Sequence, residues 1–259
     1  MDLYTVDAFT GERFAGNPAA VCLADEDLDE ALMQAIAAEM NLAETAFVRH
    51  DGDEVGLRWF TPAVEVDLCG HATLAAAHVL FELETNVEQV AFSTRSGMLV
   101  VARAEGGLEM DFPALPATAV AIPEGLEEAL GAAPLFAGRN RFDLLVELED
   151  EMAVRALRPL LGTLVGFAPR GVIVTARADE GSGADFVSRF FAPAVGIDED
   201  PVTGSAHCAL GPFWSERLGR AALVGYQASR RGGTVGVRVR GDRTMLSGQA
   251  VTVMRGTIA

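Results

Sequence analysis

The sequence predicts an α+β fold of two related halves, each a strand-rich sheet around one buried helix. An internal repeat is the first reason: RWFTPAVEVD at 58–67 returns as RFFAPAVGID at 189–198. Second, short β-branched and aromatic runs alternate with turn residues, which is a pattern of many strands. Third, the first copy leads into an alanine-rich stretch, apolar nearly all round, and such a helix sits inside a core.

The repeat extends beyond one segment. Arg58, Phe60, Pro62, Ala63, Val64 and Asp67 match Arg189, Phe191, Pro193, Ala194, Val195 and Asp198 at a constant offset of 131. After a three-residue insertion, Gly70-His71-Ala72 aligns with Gly204-Ser205-Ala206. Arg95, Gly97 and Val101 then align with Arg231, Gly233 and Val237 at offset 136. Three segments in one order make two copies of one unit. Residues 1–112 form the first half, and the final C-terminal strand is a candidate to pack back onto it. Residues 113–259 form the second, entered through a linker at 113–134 that holds four prolines and one short helix.

Along the chain, Tyr4–Phe9 and Ala19–Leu23 read as strands around the turn GERFAGNP. Asp27 caps a helix from Leu28 to Met40, with Leu32, Met33, Ile36 and Met40 on one face and Asn41 as its stop. Ala46–Val48 and Gly56–Phe60 are strands. DLCG leads into the buried helix His71–Leu83. Ser93–Arg103 and Leu108–Phe112 read as a hairpin. In the second half a helix at Ser205–Leu218 stands in the place of the first. Strands follow at Thr234–Val239 and Met245–Met254, the latter interrupted near Gly248.

All 20 basic residues are arginine. Without lysine there is no pyridoxal-phosphate Schiff base, no lysine aldolase and no P-loop lysine; an arginine guanidinium does not deprotonate in their place. A net charge of −17 opposes nucleic-acid binding. No apolar run approaches the roughly 20 residues of a membrane span, and the N-terminus lacks the pattern of a secretory signal. Three cysteines without a CxxC fit a reduced, cytoplasmic protein. No HExxH, Cys/His cluster or EF-hand loop appears, so no metal is expected.

Two related halves place a ligand in the cleft between them. Gly70-His71 and Gly204-Ser205 both open helices, where unpaired N–H groups and the dipole favour a carboxylate or a developing oxyanion. His71 and Asp200 are titratable groups beside these termini. Glu44, among Leu42, Ala43, Ala46 and Phe47, is poorly solvated, and its pKa should rise into an acid–base range. Each residue has a plain alternative. His71 also reads as a hydrogen-bonded core histidine and Asp200 as a turn residue before Pro201. Ser205 reads as a helix cap and Glu44 as a strand-edge carboxylate facing water. No glutamate stands at the matching place in the second half, near Arg170-Gly171, which points to one-base chemistry. Cys69 invites a thiol-racemase reading, but no cysteine precedes Gly204. Cys22 and Cys208 read as buried small hydrophobes.

VDAFTGERFAGNPAAV (6–21), MNLAETAFV (40–48), RWFTPAVEVDLCGHAT (58–73) and RFFAPAVGIDEDPVTGSAH (189–207) resemble the PhzF-like phenazine-biosynthesis isomerase/epimerase family. The resemblance implies a fold like diaminopimelate epimerase, two halves each with a curved, mostly antiparallel sheet around a central helix. It also implies a homodimer, no cofactor, and a small-molecule substrate whose proton is moved by the glutamate of ETAF. The catalytic positions it implies are Glu44, His71 and Asp200. Ser205 lines the same site, with Asn17, Gly70, Ala72, Thr203 and Gly204 as further substrate contacts. The expected function is a cofactor-independent isomerase or epimerase acting on a small carboxylate. The alternatives are a racemase using Cys69 or a non-catalytic metabolite-binding protein of the same fold.

Overall fold

The structure is a computed structural model that describes residues 1–24, 26–51 and 54–259. It divides into two compact units, Met1–Asp111 with Ser247–Ala259, and Phe112–Leu246. Residues 247–259, counted with the second half by sequence order, are therefore built into the first unit.

In chain order the first elements are β1 (Asp2–Ala8), β2 (Asn17–Ala24), α1 (Glu30–Met40), β3 (Glu44–Asp51), β4 (Glu54–Phe60), β5 (Glu65–Val66), α2 (Gly70–Leu83), β6 (Gln89–Thr94), β7 (Gly97–Ala104) and β8 (Gly107–Pro113). There follow β9 (Thr118–Val120), α3 (Leu126–Leu130), β10 (Phe136–Arg139), β11 (Asp143–Glu147), α4 (Glu151–Ala156), α5 (Leu161–Leu164), β12 (Gly171–Arg177), β13 (Phe186–Ala192) and β14 (Ile197–Asp200). The last are α6 (Gly204–Leu218), β15 (Ala222–Gln227), β16 (Gly233–Arg240), β17 (Arg243–Gly248) and β18 (Ala250–Thr257).

One pairing scheme is used twice. In the first unit β1 lies antiparallel between β2 and β18, β2 is parallel to β3, and β3 is antiparallel to β4. β4 then pairs antiparallel with β5 and parallel with β6, and β6, β7 and β8 form a meander. In the second unit β10 lies between β9 and β11, β11 is parallel to β12, and β12 is antiparallel to β13. β13 pairs antiparallel with β14 and parallel with β15, which pairs with β16. β9 is to β10 what β18 is to β1. This is the α+β repeat that the sequence predicts.

The central helices are buried for a reason visible in their composition. α2 packs against β1, β2, β3, β7 and β18, and Ala72, Ala75, Ala76 and Ala77 are fully enclosed; small side chains let the strands approach on every side. α6 packs against β15 and β16 and carries Pro212 in its interior. Proline lacks the N–H that would bond the carbonyl four residues back. Here the backbone N–H of Leu115 donates to that carbonyl, of Cys208, at 2.9 Å.

Several boundaries differ from the sequence reading. α1 starts at Glu30 with Asp29 as its cap, accepting from Ala31 N, because Asp27 pairs with Arg49 instead. Its buried face is Met33, Ile36 and Ala37, and Leu32 is exposed. Ser93–Arg103 is not one strand: Thr94 Oγ1 accepts from Ser96 N at 3.1 Å and donates to Gly97 O at 2.7 Å, a local turn that splits β6 from β7. The proline-rich 113–134 segment holds the short helix expected there and a strand besides. It supplies β9 and α3, whose Leu126, Ala129 and Leu130 are fully buried in the core of the second unit. The interruption expected near Gly248 is present, with β17 and β18 parted at Gln249. Among the described residues no helix is long and apolar enough to cross a membrane.

Candidate active site

Three element starts meet in the first unit. β2 opens at Asn17 and β3 at Glu44; the two strands are parallel, with Ala19 opposite Glu44. The third, α2, opens at Gly70 with Cys69 as its cap residue. Left-handed Asn41 ends α1 and turns the chain into β3. His71, in the first turn of α2, thereby reaches both strand starts. Its Nε2 lies 3.1 Å from Glu44 Oε2, an ion-pair contact off the line of an ideal hydrogen bond. Its Nδ1 lies 3.2 Å from Asn17 Nδ2 and 3.5 Å from Cys69 Sγ. Asn17 is fully buried, His71 is 6% exposed and the Glu44 side chain 14%.

Burial pushes the Glu44 pKa up, but the charge and close contact of His71, with Cys69 beside it, outweigh it and leave the carboxyl below its ordinary value. The sequence reading expected a rise; it counted the apolar neighbours but not a histidine brought in by another element. Burial disfavours the imidazolium, yet Cys69 and Glu44 beside the ring raise the His71 pKa well above its ordinary value. Burial and the Glu44 charge push the Cys69 thiol up. The two shifts run in opposite directions, towards a carboxylate that can accept a proton and an imidazolium that can donate one. An imidazolium needs an acceptor at Nδ1; Asn17 presents its amide Nδ2 there, so the charged ring requires the amide turned to put Oδ1 in its place.

Glu44, Cys69 and His71 also place three possible metal-ligand atoms within 4.8 Å of one another. The sequence contains no linear metal motif, and this cluster exists only through folding. Both ring nitrogens already face partners, so a metal would have to displace the Glu44 or the Asn17–Cys69 contact.

The second unit holds the other expected residues. Asp200 ends β14, and its carboxylate accepts from the Thr203 hydroxyl. Gln227, fully buried, accepts from Thr203 N at 2.8 Å and donates to Asp200 O at 2.8 Å, which shapes the entry to α6 at Gly204. Ser205 does not cap its helix; its Oγ accepts from Arg170 Nη1 at 3.0 Å. Arg170 is in turn held by fully buried Asp143, with Nε donating to Oδ1 at 2.8 Å. Asn17, Glu44, Gly70, His71 and Ala72 thus come together in one unit, and Asp200, Thr203, Gly204 and Ser205 in the other. Sequence reasoning missed Gln227, Asp143 and Arg170. Arg170 had a signal, since it stands beside the counterpart of Glu44.

The family profile described as "Phenazine biosynthesis-like protein" matches residues 6–256. An uncharacterized isomerase of Pseudomonas aeruginosa is 51% identical, covering 100% of this chain and 98% of its own. An uncharacterized isomerase of Halalkalibacterium halodurans is 49% identical, covering 99% and 97%. The crystal structure of a PhzF-family phenazine biosynthesis protein from Enterococcus faecalis superposes with TM-score 0.95 at 44% identity, covering 98% of this chain and 97% of that one. A probable proline racemase from Agrobacterium radiobacter, at 9% identity and TM-score 0.64, shares the fold.

Proposed function

The chain belongs to the phenazine biosynthesis-like family and is an isomerase, and from that premise we propose that Glu44 removes a proton from an activated carbon of a small carboxylate-bearing metabolite and returns it elsewhere on the same molecule. The observation that carries this reading is the Glu44–His71 pair, with the carboxylate lowered and the imidazole raised in pKa. A carboxylate already ionised can accept a proton without first losing one. The imidazolium beside it lends a proton to the developing enolate oxygen and takes it back as Glu44 returns its own, or balances charge as the carbanion forms. Asp200, Thr203, Gly204 and Ser205 serve substrate binding, with the open N–H groups of α6 available to an anion. Positioned acid–base catalysis supplies about 10²–10⁴-fold, so charge stabilisation and placement supply the rest.

Solvent-deuterium wash-in over a panel of small carboxylates tests the reading. Wild type should exchange one substrate C–H and Glu44→Gln should not; equal exchange by both overturns the assignment. No step is routed through a cofactor or metal, so exchange should persist after dialysis against a chelator. If chelation abolishes exchange and Zn²⁺ restores it, Glu44, Cys69 and His71 are ligands instead. The homodimer is a further part of the reading, checked by sedimentation equilibrium.

A second reading uses the Cys69 thiol, favoured by its 3.5 Å contact with His71 Nδ1. The raised thiol pKa opposes it, because the thiolate is the reactive form. Cys69→Ser should abolish a thiol mechanism and spare a glutamate one.

A further inference from the structure

The strand register makes the two units comparable residue by residue. Thr45 pairs with Phe60, and Val172 pairs with Phe191, the repeat partner of Phe60. Glu44 therefore corresponds to Gly171, and the Glu44–His71 junction of strand start and helix start corresponds to the junction of Arg170-Gly171 with Ser205. A side chain cannot stand at Gly171: an added Cβ would lie 2.5 Å from Phe190 Cζ and 2.7 Å from Phe191 O. The preceding residue, Arg170, crosses to the helix instead.

We propose that Arg170 is a positioning residue whose guanidinium holds the Ser205 hydroxyl as a hydrogen-bond donor to a carboxylate ligand. This deepens the functional reading above and rests on its assignment of Ser205 to the substrate. A guanidinium only donates, so its 3.0 Å bond fills an acceptor site on Ser205 Oγ. The hydroxyl proton must then point elsewhere, and among the described residues no group accepts it. Arg170 is fixed for this task. Asp143 takes Nε and Nη2 side by side, and the rings of Phe142 and Phe190 lie 5.1 and 5.6 Å from the guanidinium carbon. Asn140 Oδ1 accepts from the N–H groups of Phe142 and Asp143, each at 2.8 Å, which sets the turn that presents Asp143. Asp143 also neutralises Arg170, so the guanidinium offers Ser205 direction more than net charge. The result is a hydroxyl constrained to donate, in the first turn of α6, where an anion is already favoured.

The test is a double-mutant cycle read by calorimetric titration of benzoate into the full chain. Arg170→Lys retains a cation for Asp143, but one ammonium does not reproduce the fork that also reaches Ser205. Benzoate affinity should fall roughly tenfold on Arg170→Lys, the loss of one hydrogen bond to a charged group. In a Ser205→Ala background the same change should alter affinity less than about twofold, because the two act as one unit. An equal loss in both backgrounds, no loss in either, or no saturable benzoate binding by wild type overturns the proposal. Should Arg170→Lys fail to fold, Asp143→Leu with Arg170→Met removes both charges together. That pair should show the same affinity loss and the same dependence on Ser205; wild-type affinity in it overturns the proposal. The functional reading fails separately. Absence of deuterium wash-in with the cycle intact removes the isomerase chemistry and leaves this inference, and wash-in without coupling does the reverse.

Discussion

The two junctions of strand start and central helix share a frame and differ in chemistry. In the first, Arg58 Nε meets Glu65 Oε1 at 2.7 Å; in the second, Arg189 Nε meets Glu199 Oε1 at 2.7 Å. Each arginine lies over the repeat-related phenylalanine, Phe60 or Phe191, at 5.2 and 4.8 Å. Both helices open at glycine, Gly70 and Gly204. Against this common frame, Glu44 and His71 stand in one unit where Gly171 and Ser205 stand in the other. What repeats holds the loop before the helix; what differs titrates or donates. The first junction pairs a carboxylate with an imidazole; the second carries a hydroxyl at its helix start and no carboxylate at Gly171. This favours one base acting on its substrate over two opposed bases.

The comparison breaks most easily at its active side. Glu44→Gln should lower deuterium exchange by about 10³-fold, within the range of acid–base catalysis, with near-native circular dichroism. His71→Gln should cost about 10²-fold and abolish the alkaline limb of the pH–rate profile, because the raised pKa that sets that limb belongs to His71. A retained limb would move the acid role to another group.

Stability probes the same pair. Glu44 is lowered from 4.5, so its contribution is present above 4.5 and is lost as pH falls through the lower folded value. His71 is raised from 6.5, so its contribution is present below 6.5 and is lost as pH rises through the higher folded value. Urea midpoints of wild type minus Glu44→Gln should therefore differ most between 4.5 and 6.5. A flat difference would mean that no ion pair forms.

On the other side, Gly171→Ala should destabilise by about 1–3 kcal/mol through overpacking against Phe190, while Gly56→Ala, with ordinary 3.7 Å contacts, should be near neutral in the same denaturation assay. The smallest effect is expected at Cys69→Ser. It should cost less than about tenfold in exchange, the value of one modest hydrogen bond; a complete loss would install the thiol as the reacting group.

Much of the fold was legible because the repeat carries it. Phe60 and Phe191, or Gly70 and Gly204, are the same residue doing the same packing task, at offsets of 131 and 134. In the segment at 113–134 the short helix was legible but its burial was not, because the prolines look like a spacer while Leu126 and Leu130 disclose their burial only once α5 and β11 surround them. At the site, residue types and spacing marked Glu44, His71, Asp200 and Ser205 as candidates. The direction of the Glu44 shift was missed because its cause, His71, is remote in sequence. Arg170 was noticed as the absence of a glutamate, and its bridge from Asp143 to Ser205 was invisible.

The sequence by itself determined the two-fold repetition, the α+β class, the exclusion of lysine chemistry and the glycine-led helices, since composition and periodicity are local properties of the chain. Tertiary structure decided the rest. It set which strand closes each unit, that His71 lowers the Glu44 pKa, and that Gly171 has no room for a second base. Those outcomes depend on distances between residues far apart in the chain, and electrostatics and packing act through distance.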